Sequence, residues 1–161
     1  MKRTIYIALG SNLGERETNL HLAYQLIEER IAPIGQKSSI YQTEPWGYDS
    51  DEIFCNSVVS LQSSMEVNQL LEELKLIEKE MGRKSKKGNA YEDRLIDLDI
   101  IDFGGEVLQS SNLEIPHPRM HLRSFVLDPL FEIAPEWIHP SLKVPVSKLR
   151  EKLVEVGLEK N

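Results

Sequence analysis

Apolar positions recur along this chain in two rhythms. Alternation every second residue marks a strand, and a spacing of three to four marks a helix. Residues 4–9 are a short run rich in β-formers, and Gly10 stops it. Leu20, Ala23, Tyr24, Ile27 and Ile31 then follow helical spacing, until Pro33 and Gly35 end the helix. Residues 38–43 predict a short strand, and residues 44–49 have the composition and length of a binding loop. A strong strand is predicted over 53–62. It sends Phe54, Asn56 and Val58 to one face and Cys55, Val59 and Leu61 to the other. Ser63 and Glu66 stand at capping-box spacing. Val67, Leu70, Leu71, Leu74, Ile77 and Met81 form the stripe of the next helix, and Gly82 suits its C′ position.

Residues 83–93 show no apolar periodicity and read as a polar loop of functional length. Residues 95–103 predict a third strong strand. Gly104-Gly105 then predicts a hairpin returning into Val107 and Leu108. A helix is expected over 122–133, disturbed by Pro129, and a last amphipathic helix over 146–156. Gly10-Ser11-Asn12-Leu13-Gly14 joins a strand to a helix. It lacks the Lys-Ser/Thr of a phosphate loop and the third glycine of a dinucleotide turn, so it reads as a connection. Strands and helices interspersed in this way predict an α+β sheet with helices on its faces.

Composition narrows the partners. The 161 residues suit one domain spanning 1–161, long enough to bury about two-thirds of its unfolded surface. A formal net charge of −7 argues against a nucleic-acid backbone as partner. A small anion needs only a local cationic site, and residues 83–94 hold five basic residues against two acidic ones. Cys55 is the only cysteine, so no internal disulfide forms and a reducing cytoplasm is expected. No apolar run approaches the roughly 20 residues of a membrane span.

Asp97 and Asp99 are the sharpest chemical feature. They stand two apart in an apolar strand, so both carboxylates project from one face with α-carbons about 6.6 Å apart. Like charges side by side need a counter-charge. Mg²⁺ supplies one, commonly on one or two carboxylates plus substrate phosphates. The alternative is a solvated polar face at a sheet edge. Arg94, three residues earlier, could neutralise phosphoryl oxygens, or form an ordinary surface ion pair. His117 hangs between Pro116 and Pro118 on stiffened backbone, ahead of Arg119 and Arg123. A helix starting here would add its amides to an anion site. Phe54 and Phe125 are core residues or a stacking slot for a flat heterocycle. Asn56, on the face of Phe54, offers amide donors and an acceptor to a heterocycle edge, or is a satisfied core amide.

In order along almost the whole chain, several segments resemble 6-hydroxymethyl-7,8-dihydropterin pyrophosphokinases. They are Ala8-Leu9-Gly10-Ser11-Asn12-Leu13-Gly14, Tyr41-Gln42-Thr43-Glu44-Pro45-Trp46-Gly47, Phe54-Cys55-Asn56, Glu78 with Gly82-Arg83, Arg94-Leu95-Ile96-Asp97-Leu98-Asp99, Pro116-His117-Pro118-Arg119-Met120 and Arg123-Ser124-Phe125. The resemblance implies a ferredoxin-like α+β fold, with a mostly antiparallel sheet. It implies ATP as co-substrate and two Mg²⁺ ions on Asp97 and Asp99. It implies catalytic roles for Arg83, Arg94, Asp97 and Asp99. Pterin contacts carry over to Thr43, Pro45, Trp46, Phe54, Asn56 and Phe125, and nucleotide contacts to Glu78, Arg83, Arg94, His117 and Arg123. The partners implied are ATP and a dihydropterin, acting on a cytoplasmic monomer without nucleic acid or membrane. Where many members carry a basic residue, Trp, Gly, Pro and Arg, this chain has Ala90-Tyr91-Glu92-Asp93-Arg94. Residues 83–93 are expected to form a lid over the nucleotide. Two other functions stay open: a different Mg²⁺-dependent phosphotransfer enzyme, or a non-catalytic ligand-binding module.

Overall fold

The fold is seen in a computed structural model that describes residues 1–43, 53–82 and 95–155. Strand β1 (Arg3–Ser11) lies between β4 (Phe54–Ser63) and β5 (Asp97–Phe103). Outside β4 come β2 (Ile34–Lys37) and β3 (Tyr41–Thr43), giving the order β2-β4-β1-β5 with β3 also on β4. Every described pairing is antiparallel. Helices α1 (Arg16–Arg30) and α2 (Val67–Glu80) cover one face. Helices α3 (Ser124–Ile133) and α4 (Val146–Glu155) belong to the other.

Period-2 geometry divides the sheet's side chains between two cores. Ile5, Ile7, Leu9, Val59, Leu61, Leu98 and Ile100 meet Leu20, Ile27, Leu70, Leu74 and Ile77 of α1 and α2. Val58 and Ile101 meet Val126, Leu127 and Leu130 of α3 and Val146, Leu149 and Leu153 of α4. Each fully buried aliphatic side chain contributes about 1.5–3 kcal/mol. The α1–α2 layer holds the larger buried set, so it is the main anchor of the sheet.

Several boundaries differ from the sequence expectation. Strand β1 does not stop at Gly10 but continues to Ser11. Of the strand expected over 38–43 only Tyr41–Thr43 forms, as β3, and an unexpected strand, β2, precedes it at Ile34–Lys37. Ser63 and Glu66 form no capping box: Glu66 is the N-cap without a side-chain cap, and the Ser63 hydroxyl accepts the Met65 N–H at 3.0 Å. Gly82 takes the C′ place expected of it, at φ 110°. Gly104 and Gly105 turn the chain with positive φ, but no β5 hairpin results. The following strand, β6 (Leu108–Ser110), pairs instead with β7 (Leu113–Ile115) in a separate ribbon. The helix expected over 122–133 is a 3-10 turn, Met120–Leu122, and then α3, which keeps Pro129 inside it.

Candidate active site

Cross-strand register builds the site. Tyr41 pairs with Asn56, Asn56 with Gly10, and Gly10 with Asp97. One row therefore crosses four strands with all its side chains on the α3 face. The next row is Val58, Ala8 and Asp99. Asp97, Asp99 and Asn56 thus share one rim, and Phe54 lies on the same face of β4.

Gly10 is what allows the row to close. A β-carbon there would stand 2.9 Å from the Asn56 side-chain oxygen. The buried carboxamide of Asn56 occupies space that any other residue at position 10 would fill. The connection that follows is structural, as its sequence suggested. Asn19 of α1 donates to the Ser11 hydroxyl at 3.1 Å and to the Leu13 carbonyl at 2.9 Å, which fixes the turn.

Asp97 and Asp99 are both half-buried. Between them, the Leu98 N–H donates to a buried Glu78 carboxylate oxygen at 2.8 Å. Strand β5 is a sheet edge, and Glu78 of α2 pins it at the residue between the two aspartates. The sequence expectation placed Glu78 with the nucleotide. No group of three His, Cys, Asp or Glu side chains able to hold a metal forms among the described residues. Two hard carboxylates on one face, completed by substrate phosphates and water, nevertheless fit Mg²⁺, which keeps much of its hydration shell.

His117 approaches the rim from the segment after β7. Burial first, then the Arg123 charge, lower its imidazole from the usual histidine range, while Asp97 pulls the other way. The ring is neutral at physiological pH. Its Nδ1 accepts the Arg119 N–H at 3.2 Å, so the proton sits on Nε2. Arg123 is the N-cap residue of α3, and its guanidinium carbon lies 5.6 Å from the Phe125 ring centroid. Phe54 and Phe125 are both half-buried, and Phe125 packs against the edge of the α3–α4 core. Strand β4 carries one, and α3, which packs across β4, carries the other.

The structure therefore brings together Phe54, Asn56, Asp97, Asp99, His117, Arg123 and Phe125 at the α3 face and its rim, with Glu78 behind. Thr43 closes β3. Pro45, Trp46, Arg83, Arg94 and the expected lid over 83–93 lie outside the described residues. Sequence reasoning missed Gly10 as the floor under Asn56. The signal was a glycine after an unbroken β-forming run, and it was read as a stop.

Fold and rim define a class: a ferredoxin-like α+β protein with an acidic pair, a neutral imidazole and an arginine grouped at one rim, and an aromatic residue on both the strand and the helix beside it. Comparison with known proteins makes this particular. The family model for 7,8-dihydro-6-hydroxymethylpterin-pyrophosphokinase (HPPK) matches residues 6–135. A 2-amino-4-hydroxy-6-hydroxymethyldihydropteridine pyrophosphokinase of Porphyromonas gingivalis is 41% identical over 143 residues, covering 88% of this chain and 97% of the relative. The enzyme of that name from Bacillus subtilis is 42% identical over 134 residues, covering 83% and 79%. A crystal structure of Plasmodium falciparum HPPK-DHPS superposes with a TM-score of 0.75 at 16% identity, over 96% of this chain and 45% of that one. The chain belongs to the HPPK family.

Proposed function

We infer that this chain transfers the diphosphate of ATP to the hydroxymethyl group of 6-hydroxymethyl-7,8-dihydropterin. The products are AMP and the pterin diphosphate, and the reaction is a step of folate biosynthesis. One observation carries the reading: Asn56 and Asp97 flank the same glycine. Two strand spacings separate them, roughly 10 Å. That span suits a heterocycle whose edge meets the amide while its hydroxymethyl arm reaches phosphates held near the carboxylates.

In this reading Phe54 and Phe125 stack on the pterin faces and Asn56 reads its edge. Thr43, Pro45 and Trp46 complete the pterin contacts. Glu78, Arg83, Arg94, His117 and Arg123 serve the nucleotide. His117 donates its Nε2 proton to a phosphate oxygen and adds no competing charge change near neutrality. Two Mg²⁺ ions held by Asp97 and Asp99 would neutralise the charge of the triphosphate. The pterin hydroxyl attacks the β-phosphorus in line and AMP leaves. The hydroxyl proton passes to solvent or a phosphate oxygen. Positioning and charge stabilisation carry the rate, as in other phosphoryl transfers. Arg83 and Arg94 spread the charge that develops. The working unit is a cytoplasmic monomer of one domain, without nucleic acid or membrane. The acidic net charge supports that reading, as does a single, buried cysteine.

Product analysis tests the reading. Incubation with ATP, Mg²⁺ and the hydroxymethyl-dihydropterin should release AMP and pterin diphosphate in equal amounts. ADP with a pterin monophosphate would indicate a different phosphotransfer. No pterin-dependent nucleotide turnover would indicate a binding module.

A further inference from the structure

A second group of side chains, outside the reacting rim, ties its aromatic slot together. Glu132 lies near the C-terminal end of α3, the helix whose second residue is Phe125. Its carboxylate reaches back to the chain entering β3. One oxygen accepts the Tyr41 hydroxyl at 2.8 Å and the Ser39 N–H at 3.0 Å. The other accepts the Ser39 hydroxyl at 2.9 Å and shares the same N–H at 3.1 Å. These hydrogen bonds hold the Glu132 carboxyl below its usual range against partial desolvation. Burial and the same bond push the Tyr41 phenol up to about 12, so it remains a donor at any working pH.

Among the described residues β3 has three residues and pairs with β4 alone, so its ladder there is short. Yet Tyr41 pairs with Asn56 and Thr43 with Phe54, the two β4 residues facing the slot. Strands this short are not held by their ladder alone. Glu132 provides the second attachment. It joins β3 and the helix that carries Phe125, so it fixes how far the two walls of the slot stand apart.

We propose that Glu132, through Ser39 and Tyr41, is a positioning residue that sets the width and orientation of the heterocycle slot between β4 and α3. It touches neither substrate nor phosphate. The proposal rests on the reading of this slot as the pterin site. The clasp ties slot walls and makes no bond to Asp97, Asp99, His117 or Arg123, so it acts on the pterin and not on ATP.

The test compares Glu132→Ala with Glu132→Gln. A glutamine oxygen can take the Tyr41 and Ser39 N–H bonds, and its amide can donate to the Ser39 hydroxyl, so the clasp survives without charge. Glu132→Ala cannot form it. Titration calorimetry should show Glu132→Ala weakening pterin binding about tenfold, the scale of one or two lost restraints. A non-hydrolysable ATP analogue should bind within about twofold of wild type, and Glu132→Gln should restore pterin affinity. Steady-state KM for the pterin should rise in parallel, with kcat nearly unchanged. Equal losses for both ligands, or loss in Glu132→Gln as large as in Glu132→Ala, would overturn the positioning role. So would wild-type pterin affinity in Glu132→Ala. If the wild-type protein bound no pterin, the functional reading itself would fall. Wild-type binding with an unaffected Glu132→Ala would remove only the clasp.

Discussion

Gly10 lacks a side chain, and the carboxamide of Asn56 fills the space. The consequence is testable. Gly10→Ala places a β-carbon 2.9 Å from the Asn56 oxygen, so the carboxamide must turn away. Nothing in the backbone opposes the change, because Gly10 does not have a positive φ. Alanine also lowers the conformational entropy of the unfolded chain, by up to about 1 kcal/mol in favour of folding. Thermal unfolding should therefore move little, while pterin affinity falls about tenfold with the misplaced amide. Calorimetry beside a melting curve checks it. Unchanged pterin binding would show that the Asn56 amide does not read the heterocycle. Roles of this kind are hard to read from sequence. The shared face of Asp97 and Asp99 was legible because period-2 geometry is local, and so was the facing of Phe54 and Asn56. What lies above Gly10 depends on register between β1 and β4, residues far apart in the chain.

Strand β5 shows how one irregularity redirects a side chain. Its alternation sends Asp97, Asp99 and Ile101 to the α3 side and Leu98 and Ile100 to the other. The pairing with β1 then slips: Ile7 faces Ile100 but Tyr6 faces Asp102. Ile101 is the extra residue, and the bulge turns Asp102 toward Trp137 and the α3–α4 layer. There Asp102 is buried. One oxygen has no hydrogen-bond partner, while the Trp137 and Gly105 N–H groups favour the charged form. Burial pushes its carboxyl up to about 6 from 3.8. The folded state therefore binds this proton more tightly than the unfolded chain. That stabilisation is complete below about pH 4 and is lost as pH rises through about 6. Asp102→Asn keeps an acceptor for both donors and cannot ionise. Its stability relative to wild type should rise by about 1 kcal/mol between roughly pH 5 and pH 8. Denaturant titrations at the two pH values measure it, and an equal difference at both would contradict it. The bulge had no signature in the sequence. The expected hairpin failed there for a related reason: Gly104-Gly105 was a sound turn signal, but turn chemistry cannot choose the partner strand.

At the scale of the whole molecule, the two cores divide the labour. The larger, under α1 and α2, fixes β1, β4 and β5, while the smaller leaves a rim beside α3 where strand ends meet. The class of fold was legible because strong strands and amphipathic helices carry their own periodicity. The assembly of the rim was less so, because Asp97, Asn56, His117 and Phe125 come from four separate segments and only the resemblance linked them. The central claim is that this rim carries diphosphate transfer through Asp97 and Asp99. The direct measurement is AMP release by Asp97→Asn and Asp99→Asn, in protein whose circular dichroism and melting point match wild type. Each change keeps the side-chain shape and removes the charge. Losing one charged contributor to transition-state stabilisation should cost on the order of a hundredfold to a thousandfold in kcat. AMP release near the wild-type rate from either folded variant would contradict the account.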